Sequence, residues 1–153
     1  MKAIICAAAV VLALAGCATS KSVTLAQTSN IRPIKTAALT KEDGNSPAMD
    51  ASFSEAMRAQ GVTLGGPLPA GTRTATNVDA IVSYIDVWHW DLIMYLKAID
   101  VHMFDARSGS LLVSSQWANS AFHGFQDSKE VVRSLVADMF ANVKPAQVAV
   151  AAP

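Results

Sequence analysis

The sequence has no excess of charge of one sign and very few cysteines. It carries 12 basic and 12 acidic residues among 153, without a long run of either sign. Nucleic-acid binding rests on clustered Lys and Arg, so we expect no nucleic-acid partner. The two cysteines, Cys6 and Cys17, both lie near the amino terminus. The rest of the chain therefore offers no thiol for a disulfide, a thiolate metal site or a nucleophile.

Motifs for phosphate binding and for hydrolysis are also missing. Gly65-Gly66 is followed by Pro67 and not by the Lys-Ser or Lys-Thr of a phosphate-binding loop, so we interpret it as a turn-rich connector. No serine lies in a Gly-x-Ser-x-Gly elbow. The remaining imidazoles and carboxylates lack the spacing of a compact metal or acid-base site: His89, His102, His123, Asp86, Asp91 and Asp100. We therefore expect no metal, no cofactor and no enzymatic activity.

The amino terminus has the layout of a secretory signal. One early lysine, Lys2, precedes an apolar run of about a dozen residues, too short to cross a hydrocarbon layer of about 30 Å as a helix. The run ends in Leu14-Ala15-Gly16-Cys17, which resembles the lipobox of bacterial lipoproteins. The resemblance implies cleavage after Gly16, a diacylglycerol on the Cys17 thiol and acylation of the new amino group. An ordinary signal peptide that happens to end in Cys is the alternative.

This resemblance predicts a division of the chain and a location. Residues 1–16 are predicted to be a lipoprotein signal peptide, and residues 17–29 a lipidated tether. A single periplasmic domain is expected over residues 30–142, followed by a disordered Ala/Val tail over residues 143–153. Ala18 after the cysteine implies, by similarity to enterobacterial sorting, a lipid anchor on the periplasmic face of the outer membrane.

Residues 78–117 hold all three tryptophans and both tyrosines. Bulky and β-branched side chains come in runs there and predict three antiparallel strands, with reversals near residues 89–91 and 105–109. We place these strands at residues 78–88, 92–104 and 110–118.

Two helices are predicted by their caps and by their apolar spacing. Ser52 and Glu55 fit a capping box, and Gly61 supplies a left-handed stop, so we expect a short helix near residues 52–60. Asp127 and Glu130 fit a second box that opens an amphipathic helix. The sequence therefore predicts the α+β class, with a mostly antiparallel β-sheet and two helices packed on one face.

The order of these segments resembles a known group. The chain has, in order, a lipobox, a short helix, a strand with Val82-Ser83-Tyr84 that runs into Trp88-His89-Trp90, a hairpin at Phe104-Asp105-Ala106-Arg107 and a closing helix. This order resembles that of small uncharacterised lipoproteins of Gram-negative bacteria. Their layout is similar to the α/β domain of the TolB amino terminus and of the curli-secretion lipoprotein CsgG. The resemblance implies an envelope lipoprotein and brings no catalytic residues. Nothing in the sequence matches the membrane-inserting strands of a secretion channel.

Alternate residues of one strand bring four side chains to one face: Tyr84, Asp86, Trp88 and Trp90. Two interpretations stay open, a packed core under the helices and an exposed aromatic patch that holds a protein, a glycan or a lipid surface. Asp86 favours partial exposure, since a carboxylate is costly in a dry core. These four are the candidate partner-binding residues.

The functional expectation follows from the anchor and this patch. We expect a non-enzymatic accessory or scaffolding lipoprotein with a protein partner in the cell envelope. The alternative is a periplasmic lipoprotein that binds a small ligand or a peptidoglycan fragment.

Overall fold

The computed structural model describes residues 19–26, 32–120 and 125–143. Within these ranges the chain forms seven strands and two helices, which confirms the α+β class. In chain order they are β1 Ser20–Leu25, β2 Thr36–Lys41, α1 Pro47–Ala59, β3 Thr63–Leu64, β4 Leu68–Pro69, β5 Ala80–Asp91, β6 Ile93–Asp105, β7 Leu111–Ala118 and α2 Ser128–Val143.

The strands form one mixed sheet in the order β1-β7-β6-β5-β2-β3, with β4 paired to β2. The pairs β1/β7, β7/β6 and β6/β5 are antiparallel. In contrast, β2 runs parallel to β3, β4 and β5. The prediction of a mostly antiparallel sheet was therefore wrong. The chain leaves β2 through α1 and returns in the same direction, and a helical crossover of this kind produces parallel pairing.

The edge strand β1 lies inside the region predicted to be a tether. Ser20 pairs with Ala118 and Leu25 with Val113, and the Lys21 ammonium forms an ion pair with Asp138 of α2. Small polar residues gave no hydrophobic alternation here, but an edge strand is held by its backbone hydrogen bonds, which any residue except proline can make. Cys17 and the tail from residue 144 onward lie outside the described residues.

The first helix begins earlier than its predicted capping box. The Ser46 hydroxyl accepts a hydrogen bond from the Met49 N–H, and Pro47 occupies the first turn, where its missing N–H costs nothing. Ser52 lies in the second turn and donates to the Ala48 carbonyl (2.9 Å), so the predicted cap at Ser52 was wrong.

The second helix begins where it was predicted. Asp127 accepts a hydrogen bond from the Lys129 N–H (2.9 Å), one of the free donors at the helix start. The Glu130 carboxylate instead accepts from Arg133 (2.6 Å) on the helix surface.

Both helices pack on one face of the sheet and enclose the main core. Alternate residues of β5 and β6 enter it, together with the apolar stripes of α1 and α2, and its central members include Phe53, Tyr84, Val101, Leu135 and Met139. On the opposite face, the described residues form a smaller apolar cluster: Ala38, Val78, Ile81 and Ala106.

Candidate functional site

Strands β5 and β6 continue past the rest of the sheet as a two-stranded arm. Ala98 of β6 pairs with Val87 of β5 on one side and with Ala118 of β7 on the other, and Ala118 pairs with Ser20. This row of four residues marks the end of the four-stranded antiparallel region. Beyond it residues 88–96 pair only with each other in the described part of the chain. We call these residues the hairpin arm.

The arm reverses at Leu92, a residue poorly suited to such a turn. Its φ is 63°, in the left-handed region that costs a residue with a Cβ about 1–2 kcal/mol. Its side chain is 87% exposed, so burial does not compensate. Glycine or asparagine would fit the turn better. The backbone thus gives no reason for a leucine here, and strained positions of this kind cluster at functional sites.

The arm is apolar around this turn. Trp90 is 65% exposed and lies directly opposite Met94, which is exposed as well. Ile93 adds a third large exposed side chain next to Leu92. The arm has one formally charged residue, Asp91. Trp90 and Met94 share one face of the hairpin and Ile93 lies on the other, and exposed apolar side chains concentrated at one turn indicate an interaction site.

The predicted patch does not form as a single surface, because Tyr84 belongs to the core. Its side chain is 0% exposed and stacks on Phe53 with 4.2 Å between the ring centroids. Its hydroxyl donates a hydrogen bond to Asp50 Oδ1 (2.6 Å). Burial, and then the bond to Asp50, raises the pKa of Tyr84 far above its ordinary value. A partner at the surface cannot contact this residue.

The other three predicted residues follow a gradient from core to solvent. Asp86 and Trp88 are half-buried, and the Trp88 indole N–H donates to Asp86 Oδ2. Trp88 packs against the main core. Trp90, two residues further along, lies on the arm. The structure thus joins Trp90 to three residues that sequence reasoning missed: Leu92, Ile93 and Met94.

One signal could have found these residues. The predicted reversal at residues 89–91 is centred two residues before the observed turn at Leu92, and the segment through Met94 lacks the Gly, Asn or Pro that a hairpin turn favours. Large apolar residues at a turn that lacks these turn-forming residues indicate an interaction surface.

A second feature lies beside the arm, along the open edge of β5. Strand β2 pairs with β5 only from Ala80 to Val82. The following residues 83–91 have no strand along that side in the described ranges. Ile85 is 62% exposed there, and Val87 is exposed too. The Tyr84 carbonyl already accepts a hydrogen bond from the Asn45 side-chain amide (3.0 Å), so the edge that is a template for strand addition begins after Tyr84.

The base of the arm contacts the segment before α2 through aromatic rings. The Tyr95 ring packs edge-on against His89 (centroids 5.6 Å apart) and against Phe125 (5.4 Å). Across the described ranges, no group of three His, Cys, Asp or Glu side chains is arranged to hold a metal ion. His123, considered above as a ligand, lies outside these ranges.

A surface cleft of about 320 Å³ lies at the opposite end of the sheet, near Asp79 and Asp105. The alternative hypothesis of small-ligand binding would use such a cleft. Its carboxylates, however, already serve the fold, because Asp105 accepts a hydrogen bond from Arg32 (3.0 Å) and holds its own hairpin loop through Ser108 (2.9 Å). Burial alone would raise the pKa of Asp105, but the bonds from Ser108, Arg32 and Arg107 outweigh it and hold the pKa below its ordinary value.

Asp79 fixes the start of β2. Its Oδ2 accepts hydrogen bonds from the Lys35 N–H (3.0 Å), the Thr36 N–H (2.9 Å) and the Thr36 hydroxyl (2.8 Å). The hydrogen bond from the Thr36 hydroxyl has the largest effect on the pKa of Asp79 and lowers it. Burial opposes this effect, but the bonds from the two N–H groups add to it, so the pKa lies below its ordinary 3.8. The ionised form thus stabilises the folded chain.

This contact predicts an acid-sensitive contribution to stability. A depressed folded pKa gives stabilisation that is complete well above pH 3.8 and is lost as the pH falls through the folded pKa. We expect Asp79→Asn to unfold at lower urea concentration than the wild type at pH 7, with the gap shrinking towards pH 3. The control is Asp43→Asn at an exposed loop position, expected to match the wild type. A gap for Asp79→Asn that stays constant from pH 7 to pH 3 would contradict this assignment.

The fold is similar to solved structures of bacterial proteins. PelC from Paraburkholderia phytofirmans, a dodecamer, matches with a TM-score of 0.55 and 14% identity over 85% of this chain and 100% of PelC. A second PelC dodecamer, of a point variant, matches with a TM-score of 0.51 and 13% identity over 84% of this chain and 100% of that one. A PDZ domain protein from Parabacteroides distasonis matches with a TM-score of 0.50 and 13% identity, over 79% of this chain and 34% of that chain.

At these identities the likeness establishes the fold alone. No protein-family model and no curated protein matches the sequence. In the described ranges, neither helix combines the length and the apolar character needed to cross a membrane.

Proposed function

We propose that this protein is a lipid-anchored lipoprotein on the periplasmic face of the outer membrane, acting as a non-enzymatic accessory or scaffolding module for an envelope protein partner. The observation that carries the proposal is the open edge of β5. The lipobox-like Leu14-Ala15-Gly16-Cys17 supports the anchor, and the short apolar run before it supports export. The predicted likeness to TolB and CsgG domains stays a prediction.

The edge suits the addition of a strand from another protein. Native proteins protect exposed edges with Pro and with charged side chains, especially Lys. Residues 83–91 contain no Pro, Lys or Arg, and of their two carboxylates Asp86 accepts a hydrogen bond from the Trp88 indole N–H. In strand addition, backbone hydrogen bonds supply affinity and alternate side chains supply specificity. The exposed side chains of Ile85 and Val87 lie two residues apart and so share one face. A partner strand along β5 would cover both.

The comparison structures suggest which partner to test first. PelC forms a dodecamer with a similar fold. A second copy of this chain is therefore the first candidate for the edge of β5, before an unrelated envelope protein.

The edge is tested by site-specific photocrosslinking in intact cells. A photoreactive amino acid at position 87 is expected to give one discrete adduct, whose mass distinguishes a second copy from another protein. The matched control carries the same group at Arg58, which is exposed on α1. Adding Ile85→Lys to the position 87 chain should abolish the adduct, because a charged side chain blocks edge pairing. Absence of an adduct at 87, or the same adduct from 58, would contradict the proposal.

A further inference from the structure

We infer that the tip of the hairpin arm contacts the surface of the lipid bilayer that holds the anchor. The tip is defined by four exposed apolar side chains: Trp90, Leu92, Ile93 and Met94. The inference rests on the lipid anchor of the proposed function and is independent of the protein partner at the edge of β5.

The strand directions place the start of β1 and the arm at the same end of the sheet. Ser20, Ala118, Ala98 and Val87 form one row across four antiparallel strands. Strand β5 runs from this row into the arm. Strand β1 begins at this row and runs the opposite way, so its first residue, Ser20, lies at the end of the sheet from which the arm projects.

The chain before Ser20 and the hairpin arm can extend comparable distances from this row. Cys17 precedes Ser20 by three residues, a length of chain that can span at most roughly 11 Å. Leu92 lies five residues beyond Val87, and strand residues rise about 3.3 Å each, so the tip projects roughly 15 Å from the row. Three strand spacings of about 4.8 Å separate β1 from β5. A bilayer that holds acyl chains on Cys17 therefore comes within reach of the tip.

The side chains of the tip match a membrane interface. Tryptophan is enriched at the level of the lipid headgroups, where its ring is apolar and its N–H remains hydrated. Leu92, Ile93 and Met94 are apolar, and the arm contains no Lys or Arg. A leucine at φ 63° is explained if its side chain enters this layer, because the contact offsets both its exposure and its strain.

Two features limit the depth of the contact. Asp91 is exposed next to the turn, and a carboxylate is costly within the hydrocarbon. The open edges of a two-stranded arm also leave backbone groups that lipid tails cannot satisfy. The contact is therefore confined to the headgroup region. There it orients the domain on its anchor and presents the edge of β5 sideways to partners.

The test uses the mature lipidated chain, with acylation verified by mass, in vesicles of phosphatidylethanolamine and phosphatidylglycerol. Lipids with brominated acyl chains near the headgroup are expected to quench part of the tryptophan emission. Trp90→Phe should remove that quenched part, since Trp88 is half-buried and Trp117 is buried. Leu92→Asn, which suits a left-handed turn, should keep the fold and reduce the quenching. Leu25→Asn is the matched control, an exposed apolar residue at the far end of β1 and away from the tip, and should leave the quenching unchanged.

Several results would overturn the inference. One is emission that brominated lipids leave unchanged, and another is quenching that survives Trp90→Phe. If Trp90 were shielded from aqueous iodide but not quenched by the lipids, the tip would contact protein, a second copy included. Because the vesicles contain no other protein, a failure here is distinct from a failure of the crosslinking test at position 87.

Discussion

Tyr84→Ala is expected to lower the free energy of unfolding by about 3–5 kcal/mol, the range for removal of a large aromatic from a core. The total free energy of unfolding of a native domain is only about 5–15 kcal/mol. The Tyr84 ring is fully buried and stacks on Phe53, so its loss leaves a cavity between β5 and α1. Urea unfolding followed by far-ultraviolet circular dichroism measures the change.

Two variants serve as controls for this prediction. Tyr84→Phe keeps the ring and removes only the hydrogen bond to Asp50, so we expect a loss of about 0.5–1.5 kcal/mol. Trp90→Ala removes an aromatic residue from the exposed arm and should change stability by less than about 0.5 kcal/mol. If Tyr84→Ala and Trp90→Ala had equal effects, the division between core and arm would be wrong.

Cys17→Ser is expected to abolish incorporation of radiolabelled palmitate, because the serine hydroxyl cannot replace the thiol that receives the diacylglycerol in the lipoproteins this terminus resembles. The matched control is Cys6→Ser, which alters the other cysteine of the chain and lies within the predicted signal peptide. Cys6→Ser should incorporate palmitate like the wild type. Labelling of the Cys17→Ser chain would remove the basis of the proposed anchor.

Membrane fractionation extends this prediction. A chain with an ordinary cleavable signal peptide in place of residues 1–17 is expected in the soluble periplasmic fraction. Acyl chains contribute about 0.8 kcal/mol per buried methylene, far more in sum than four side chains at an interface supply. Retention of that chain in the membrane fraction would show that another part of the protein holds it there.

Local signals in the sequence located most of the elements. The β-branched runs of β5, β6 and β7 predicted these strands to within three residues at either end. Asp127 located the start of α2, because a capping side chain acts on donors only two or three residues away. The first helix was misplaced because two cap-like serines compete, and Ser46 followed by Pro47 is the better start.

For the residues of the candidate site, local sequence signals do not predict burial. Tyr84, Trp88 and Trp90 alternate on one strand and look equivalent in the sequence. Their burial depends on what covers them, since Phe53 of α1 covers Tyr84, whereas Trp90 lies past the last row of the four-stranded region.

By itself the sequence determined the α+β class, the positions of the main strands and the absence of any thiol after Cys17, since each depends on residue type or on short-range spacing. Only the tertiary structure decided that the sheet is mixed, that residues 20–25 form its edge, and that an apolar arm projects at the end where the chain enters β1. Each of these depends on pairing between segments far apart in the chain, and the free energy of such pairing comes from backbone hydrogen bonds and shared burial that no single segment encodes.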